Sequence, residues 1–431
     1  MRRSGPSRIY RHRYGPNRRY GLTAAAIAVF ALTYVLIAAR ELSFIPIGRP
    51  AGALLGALLM VALGVMTPEE SFRAVDCSTI LLLFSMMLLS AYLEDAGVLD
   101  VLARRATACA GSPRILLAMT SVSAAALSAL LVNDTVCVFM TPFVLSAARR
   151  SGLDPGPYLI ALATGANIGS AATLVGNPQN MIIGSMSGYG FSEYLWRSLP
   201  AVLAALAVNI VLLVLFFGKR VSVRIAPPEP ADRTRASGRG RPVEYAVLAA
   251  IAAGFFAGLH MGYTALAGVL VIMVSRRRNP AAVFERVDWT LLVFFAALFM
   301  VVAGLNGTGV VARAWAAAAP SMDFVSAGGL ALFTAFVTLG SNLVSNVPMT
   351  LLTGPHLASL GDPSTGWVLL GFVTTIAGNL TLVGSVANII VAERAKDSYH
   401  LGYVEYLKFG AVSTALSLAI GVPLIALSSS W

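Results

Sequence analysis

Thr173-Leu174-Val175-Gly176-Asn177-Pro178-Gln179-Asn180-Met181-Ile182 returns as Thr381-Leu382-Val383-Gly384-Ser385-Val386-Ala387-Asn388-Ile389-Ile390, 208 residues later. Around this stretch the echo continues. Phe72-x-x-Val75-Asp76 recurs as Phe284-x-x-Val287-Asp288, Leu93 with Gly97-Val98 as Leu305 with Gly309-Val310, and Glu193-Tyr194-Leu195 as Glu405-Tyr406-Leu407, each 212 residues on. A four-residue gap therefore sits just before the 208-shifted stretch. Four matches in the same order mark a duplicated unit. The chain divides into a basic tail (1–20), a first membrane unit (21–218), a linker rich in Arg, Pro and Gly (219–243) and a second membrane unit (244–431).

Both units are built for lipid. Of 431 residues 57% are hydrophobic and 12% charged, where a soluble domain carries about 25% charged residues. Apolar runs such as Leu22–Ala39, Ala51–Val65 and Leu203–Phe217 are near or above spanning length. The net charge of +11 is not a nucleic-acid footprint, because Lys and Arg stand in short clusters between apolar runs. The three cysteines, Cys77, Cys109 and Cys137, match no metal spacing and imply no disulfide framework. Seven arginines and no acid fill the first twenty residues. The apolar run behind them is too long for a signal-peptide core and lacks a small-residue cleavage site, so it reads as a retained helix.

Each unit has the same plan. Two spanning helices (22–39 and 51–66; 244–259 and 262–275) precede a third (78–94; 289–306). An amphipathic piece carrying Arg104-Arg105 follows in the first unit. Two apolar arms come next (115–131 and 135–148; 328–344 and 347–360), separated by Asn133-Asp134 and by Ser345-Asn346, as in re-entrant hairpins. Segments interrupted by Gly and Asn (157–186; 367–392) precede a last helix (198–217; 404–427). The expectation is an all-α polytopic protein with about ten transmembrane helices, two re-entrant hairpins and two broken helices. Five crossings per unit turn the second upside down. A cytoplasmic linker then places Arg40 with Arg49, Arg104-Arg105, Arg149-Arg150, Arg276-Arg277-Arg278 and Arg394 with Lys396 inside, and Glu69-Glu70 outside. The same count sets the seven-arginine tail outside, against the rule, and the side of the tail stays open.

Irregular backbone at membrane depth survives only where it is buried in protein or lines a cavity, so matching interruptions point to a binding site between the units. The candidate substrate or ion ligands are Asn133, Asp134, Thr135, Asn167, Thr173, Asn177 and Asn180 in the first unit. In the second they are Ser345, Asn346, Asn379, Thr381, Ser385 and Asn388. Any single Ser or Thr among them also suits helix packing; clustering and duplication carry the argument. Asp134 is the one acid centred in an apolar run, and its repeat partner Asn346 cannot titrate. An intramembrane carboxylate is a functional candidate by default, and Asp134 is assigned proton coupling, with permanent cation ligation and hydrogen-bond acceptance as competing roles. No Lys or Arg lies in these segments, which suits a small neutral hydroxide such as arsenous acid. Cys137, one turn past Asp134, is within reach of a thiophilic metalloid, although a small buried packing residue accounts for it as well.

Asn133-Asp134-Thr135-Val136 with Thr141-Pro142, Asn167-Ile168-Gly169 with Gly176-Asn177-Pro178-Gln179-Asn180, and Ser345-Asn346-x-Pro348 resemble the ion-transporter superfamily over nearly the whole chain from about residue 21. That group holds ArsB-type arsenite/antimonite permeases, NhaD-type sodium/proton antiporters, citrate–metal transporters and divalent anion/sodium symporters. The resemblance implies inverted repeats, binding between hairpin tips and broken helices, a scaffold and a transport part, and a homodimer in a bacterial-type inner membrane. The divalent-anion branch carries Ser-Asn-Thr at both tips, and Asn133-Asp134-Thr135 with Ser345-Asn346-Val347 departs from it toward the ArsB side, which also implies an arsenic ATPase subunit as a partner.

The function expected from this reading is proton-coupled export of arsenite or antimonite. The alternative is a sodium- or proton-coupled permease for small organic or inorganic anions of the dicarboxylate or citrate kind. H+ or Na+ is the coupling ion, and no cofactor, resident metal or nucleic acid is expected. A channel would need a continuous polar path, and an enzyme a nucleophile–base or metal constellation; the sequence offers neither.

Overall fold

The computed structural model describes residues 16–38, 48–98, 101, 112–221, 242–277 and 279–428. The Arg104-Arg105 piece, most of the linker and the tail before residue 16 lie outside them. Among the described residues every regular element is helical. The first unit comprises α1 (Pro16–Ala38), α2 (Arg49–Ala62), the short α3 (Pro68–Ala74), α4 (Cys77–Asp95), α5 (Pro113–Leu130), α6 (Asn133–Arg150), α7 (Pro155–Ser170), α8 (Pro178–Ser187) and α9 (Phe191–Phe217). The second comprises α10 (Pro242–Phe256), α11 (Met261–Arg276), the one-turn α12 (Ala281–Phe284), α13 (Trp289–Gly307), α14 (Val310–Ala318), α15 (Ala327–Val344), α16 (Asn346–Thr353), α17 (Pro363–Ala377), α18 (Val386–Ala395) and α19 (Tyr403–Ser428). Seven of these, α1, α4, α5, α9, α13, α15 and α19, are long and apolar enough to cross a membrane, and α2, α10, α11 and α17 are shorter apolar helices. The chain is a multi-pass membrane protein.

The repeated sequence motifs have structural causes. Asp76 and Asp288 cap the equivalent helices α4 and α13: Asp76 accepts from the Ser78 and Thr79 amides at 3.0 and 3.3 Å, and Asp288 from the Leu291 amide at 3.0 Å. The short α3 is held by a capping box, Thr67 accepting from the Glu70 amide and Glu70 from the Thr67 amide.

Packing between the units follows the duplication. Helix α2 packs on α13 and its equivalent α11 packs on α4, while the two closing helices α9 and α19 lie against each other. The hairpin arm α6 packs on α18 of the other unit, and its counterpart α16 packs on α8. These exchanged pairs describe a pseudo-two-fold arrangement. With each hairpin turning back inside the membrane, each unit crosses an odd number of times and the second stands inverted relative to the first.

Glycine sets the closest approach. A Cβ on Gly169 of α7 would stand 2.1 Å from the Ala125 carbonyl oxygen and 2.3 Å from Ala125 Cα of α5. Small residues thus let the first hairpin arm lie directly on the broken helix.

Candidate functional site

The broken helices come apart where the sequence turns to Gly and Asn. α7 ends at Ser170, seven buried residues (171–177) follow without regular helix, and Pro178 opens α8. Proline suits the first turn of a helix because its missing N–H would have no partner there. α17 and α18 break in the same way around Gly378–Ser385.

One asparagine in the first turn of each second half-helix, α8 and α18, ties the break together, by the same bonds. Asn180 Nδ2 donates to the Ser170 and Thr173 carbonyls at 3.2 and 2.9 Å, and Asn388 Nδ2 donates to the Gly378 and Thr381 carbonyls at 2.8 and 3.0 Å. Carbonyls at the C-terminal end of a broken helix have no intrahelical partner, and the amide replaces it. Asn177 caps α8, accepting from the Asn180 amide at 2.9 Å. Its counterpart Ser385 makes no such cap on α18.

The two breaks meet through Asn167. Its Nδ2 donates to Asn379 Oδ1 at 2.8 Å and to Asn388 Oδ1 at 2.9 Å, and its Oδ1 accepts from Asn133 Nδ2 and from Ser385 Oγ, both at 3.0 Å. Five of the sequence candidates, from both units, are thus joined in one buried network. A second crossing bond set uses Thr375, whose hydroxyl accepts from Asn177 Nδ2 at 3.2 Å and from Gln179 Nε2 at 3.1 Å.

The hairpin tips dock on these loops. The Asn133 amide donates to the Gly176 carbonyl at 2.9 Å, and Thr173 Oγ1 to the Ala129 carbonyl at 2.8 Å. In the second unit Asn342 Nδ2 donates to the Ala377 carbonyl at 3.0 Å, and Asn346 Oδ1 accepts from Ser341 Oγ at 3.0 Å. Asn133-Asp134 does not sit between the arms. It opens the second arm, α6, with only Leu131 and Val132 in the turn. Asp134 therefore lies in the first turn of an 18-residue helix, where the partial positive charge of the amides favours an anion. Its carboxylate is half-buried and has no hydrogen-bond partner among the described residues; the charges that bear on it are those of Asp288 and Arg49. Thr135 beside it is also half-buried, whereas Ser345 at the other tip is exposed. Cys137 is fully buried inside α6. No group of three or more His, Cys, Asp or Glu able to hold a metal occurs among the described residues.

A crossing of two broken helices from duplicated units, capped by two hairpins, is a transporter's architecture. Residues 34–377 match the family model described as citrate transporter. The chain belongs to the citrate transporter family. Among its relatives, the silicon efflux transporter LSI3 of Oryza sativa subsp. japonica is 32% identical, the match covering 92% of this chain and 96% of that one. The protein of Dictyostelium discoideum named as transporter arsB is 30% identical over 93% and 91%. An uncharacterised transporter of Mycobacterium tuberculosis is 34% identical over 93% and 97%. The crystal structure of the YdaH transporter of Alcanivorax borkumensis, reported to have an unusual topology, superposes with a TM-score of 0.55 at 14% identity, covering 96% of this chain and 98% of that one. The fold is shared; the sequence has diverged far.

In this citrate transporter family chain, several residues of the crossing escape a reading by motif. Ser170 receives Asn177 Nδ2 on its hydroxyl at 2.9 Å. Gln179 and Thr375 face each other across the units. Asn209, fully buried in the middle of α9, donates to Ser121 Oγ and Thr164 Oγ1 at 3.2 and 3.1 Å and accepts from Ser413 Oγ at 2.8 Å. Asn209 carried a legible signal, a lone amide within the apolar run Leu203–Phe217, of the same kind that singled out Asp134. Tyr194 and its repeat equivalent Tyr406 are also fully buried, and neither hydroxyl has a partner among the described residues.

Proposed function

We propose that this transporter exports a small uncharged hydroxide, arsenous or antimonous acid in type, in exchange for protons, with Asp134 carrying the proton. The observation behind the proposal is the composition of the crossing. Amides and hydroxyls from both units converge there with no Lys or Arg in the site segments, and one carboxylate without a hydrogen-bond partner among the described residues stands at the hairpin tip. Paired donors and acceptors match the O–H groups of a neutral hydroxide, and a polyanion would meet no Lys or Arg within the site segments to offset its desolvation, Arg49 acting on Asp134 from outside them. A carboxylate on the edge of this site exchanges its proton with whichever side it faces, so each turnover couples a proton moving in to a hydroxide moving out.

The relatives support the same substrate class. One is named for silicon efflux and another as arsB, and the soluble forms of silicon and of trivalent arsenic at neutral pH are both uncharged hydroxides. The family's name supports the second reading, a proton- or sodium-coupled permease for citrate-like anions.

Purified protein in proteoliposomes, offered arsenite, silicic acid and citrate in separate counterflow assays, separates the two. Exchange of arsenite or silicic acid with none of citrate is the expected result. Sodium-dependent exchange of citrate alone would replace the proposal with the second reading.

A further inference from the structure

The first arm of the first hairpin runs antiparallel to the closing helix of its own unit. Helix α5 packs on α9, and Asn209 Nδ2 donates to Ser121 Oγ across the pair at 3.2 Å. About two turns on, toward the start of α5 and the end of α9, Arg114 comes level with the last turn of α9. An open cleft of about 390 Å3 lies at that place, lined by Arg114, Val214, Leu215, Gly218 and Lys219. Two cations thus share one cleft with two apolar side chains.

The depth of the cleft follows from α9. With 27 residues this helix is about 40 Å long, against about 30 Å of hydrocarbon, so both its ends reach headgroup level. Trp196, 63% exposed, marks one end as interfacial aromatics do, and Lys219 and Arg220 stand just past the other. Below the cleft the surface is apolar: Leu215 is 74% exposed, and Val211, one turn deeper on the same face, is 56% exposed. The cleft therefore has a cationic rim in the headgroup layer and an apolar wall running into the hydrocarbon. Asp154 and Glu405, acids of the same end, share Arg220. Against them stand Arg114, Lys219 and the exposed Arg149 and Arg150 at the base of the same hairpin, so positive charge is in excess among these residues.

We propose that this cleft binds one anionic glycerophospholipid of the leaflet on the linker's side, with its phosphodiester between Arg114 and Lys219 and an acyl chain along Leu215 and Val211. Basic pockets between membrane helices recognise anionic headgroups in this way. The apolar wall selects a lipid over free phosphate, which has no apolar surface to bury against it. The bound lipid ties the base of the hairpin whose tip carries Asp134 to the end of α9. This site is independent of which substrate and which coupling ion the chain carries.

Native mass spectrometry of the purified full chain, released from detergent containing equal amounts of phosphatidylglycerol and phosphatidylcholine, tests the site without a substrate. Phosphatidylglycerol is expected to stay bound in preference to phosphatidylcholine. Arg114→Gln with Lys219→Gln removes both cations and lowers that preference by about thirtyfold, roughly five- to sixfold for each. Arg114→Lys with Lys219→Arg keeps both charges and most of the preference. Arg313→Gln, at an exposed arginine of α14, leaves the preference unchanged, and an excess of inorganic phosphate leaves the lipid in place. Equal retention of the two lipids by the unsubstituted chain overturns the proposal, as does an undiminished preference in monodisperse protein lacking both cations. Displacement of the lipid by inorganic phosphate overturns it in favour of a free-anion site. The lipid comparison and the phosphate competition use only the unsubstituted chain, so a variant that fails to fold leaves the test intact.

Discussion

Replacing Asn167 by alanine removes a side chain of the first broken helix that bonds the second broken helix and a hairpin tip at once. Four hydrogen bonds disappear, to Asn379 and Asn388 and from Asn133 and Ser385, at 2.8 to 3.0 Å. At the average of about 0.6 kcal/mol measured for hydrogen bonds inside membrane proteins, the four together contribute about 2.4 kcal/mol. The partners left behind are buried, and an orphaned buried group costs about 1–3 kcal/mol when nothing replaces its partner, so the loss lies between about 2 and 5 kcal/mol. In a chain this large each kcal/mol moves Tm by roughly 1–2 °C, by extension from smaller domains, which gives a fall of about 2–10 °C. The assay is the midpoint of loss of the monodisperse peak on heating in detergent, followed by size exclusion, with transport measured on the same preparation in liposomes. Transport is expected to fall further than stability, because the bonds lost are those that set the two loops against each other. A Tm within about 1 °C of the unsubstituted chain, with transport intact, would show that the crossing is not held by this amide and would refute the reasoning.

Three further expectations follow from the same structure. Gly169→Ala places a methyl 2.1 Å from a main-chain oxygen that no rotamer change can move; overpacking of this kind costs about 1–3 kcal/mol or more, and a lower Tm with a reduced yield of monodisperse protein checks it. Asp362 caps α17 outside the spanning segment: burial alone would raise its pKa, but hydrogen bonds from the side chains and amides of Ser364 and Thr365 outweigh that and hold the carboxyl below its usual range. Because its folded pKa is the lower one, its contribution is present above the unfolded value of about 4 and is lost as pH falls through the folded value. Asp362→Ala should therefore lower stability by about 1 kcal/mol near neutral pH, and the Tm gap to the unsubstituted chain should close on acidification. Cys137 is fully buried in α6, so Cys137→Ala is expected to leave arsenite counterflow unchanged, and its loss would bring the thiol back as a metalloid contact.

The duplication was readable because it is written in identical residues at fixed offsets, and the structure gives those residues identical work. Asn180 and Asn388 tie equivalent pairs of carbonyls, and Asp76 and Asp288 cap the equivalent helices α4 and α13. Features that depend on the meeting of two units were hidden. Thr375 and Gln179 look like ordinary packing residues until α17 crosses the first broken loop. The hairpin arms lie where the apolar runs indicate, but each turn falls earlier in the chain than its polar pair suggests, at 131–132 and at Ser345. An Asn-Asp pair reads as a turn, yet it serves equally well as the first turn of a helix, where its polar groups meet free amides. The second hairpin's outer arm also breaks sooner than its apolar run indicates. α16 gives way to a 3-10 segment at Gly354–Leu360, and Gly354-Pro355 was the available signal.

The central claim, proton-coupled export of an uncharged hydroxide through Asp134, is tested most directly by arsenite accumulation in everted membrane vesicles, with and without an imposed pH gradient, for the unsubstituted chain and Asp134→Asn. The account predicts accumulation that requires the gradient and disappears in Asp134→Asn while the variant remains monodisperse. Gradient-driven accumulation that persists in Asp134→Asn would contradict it.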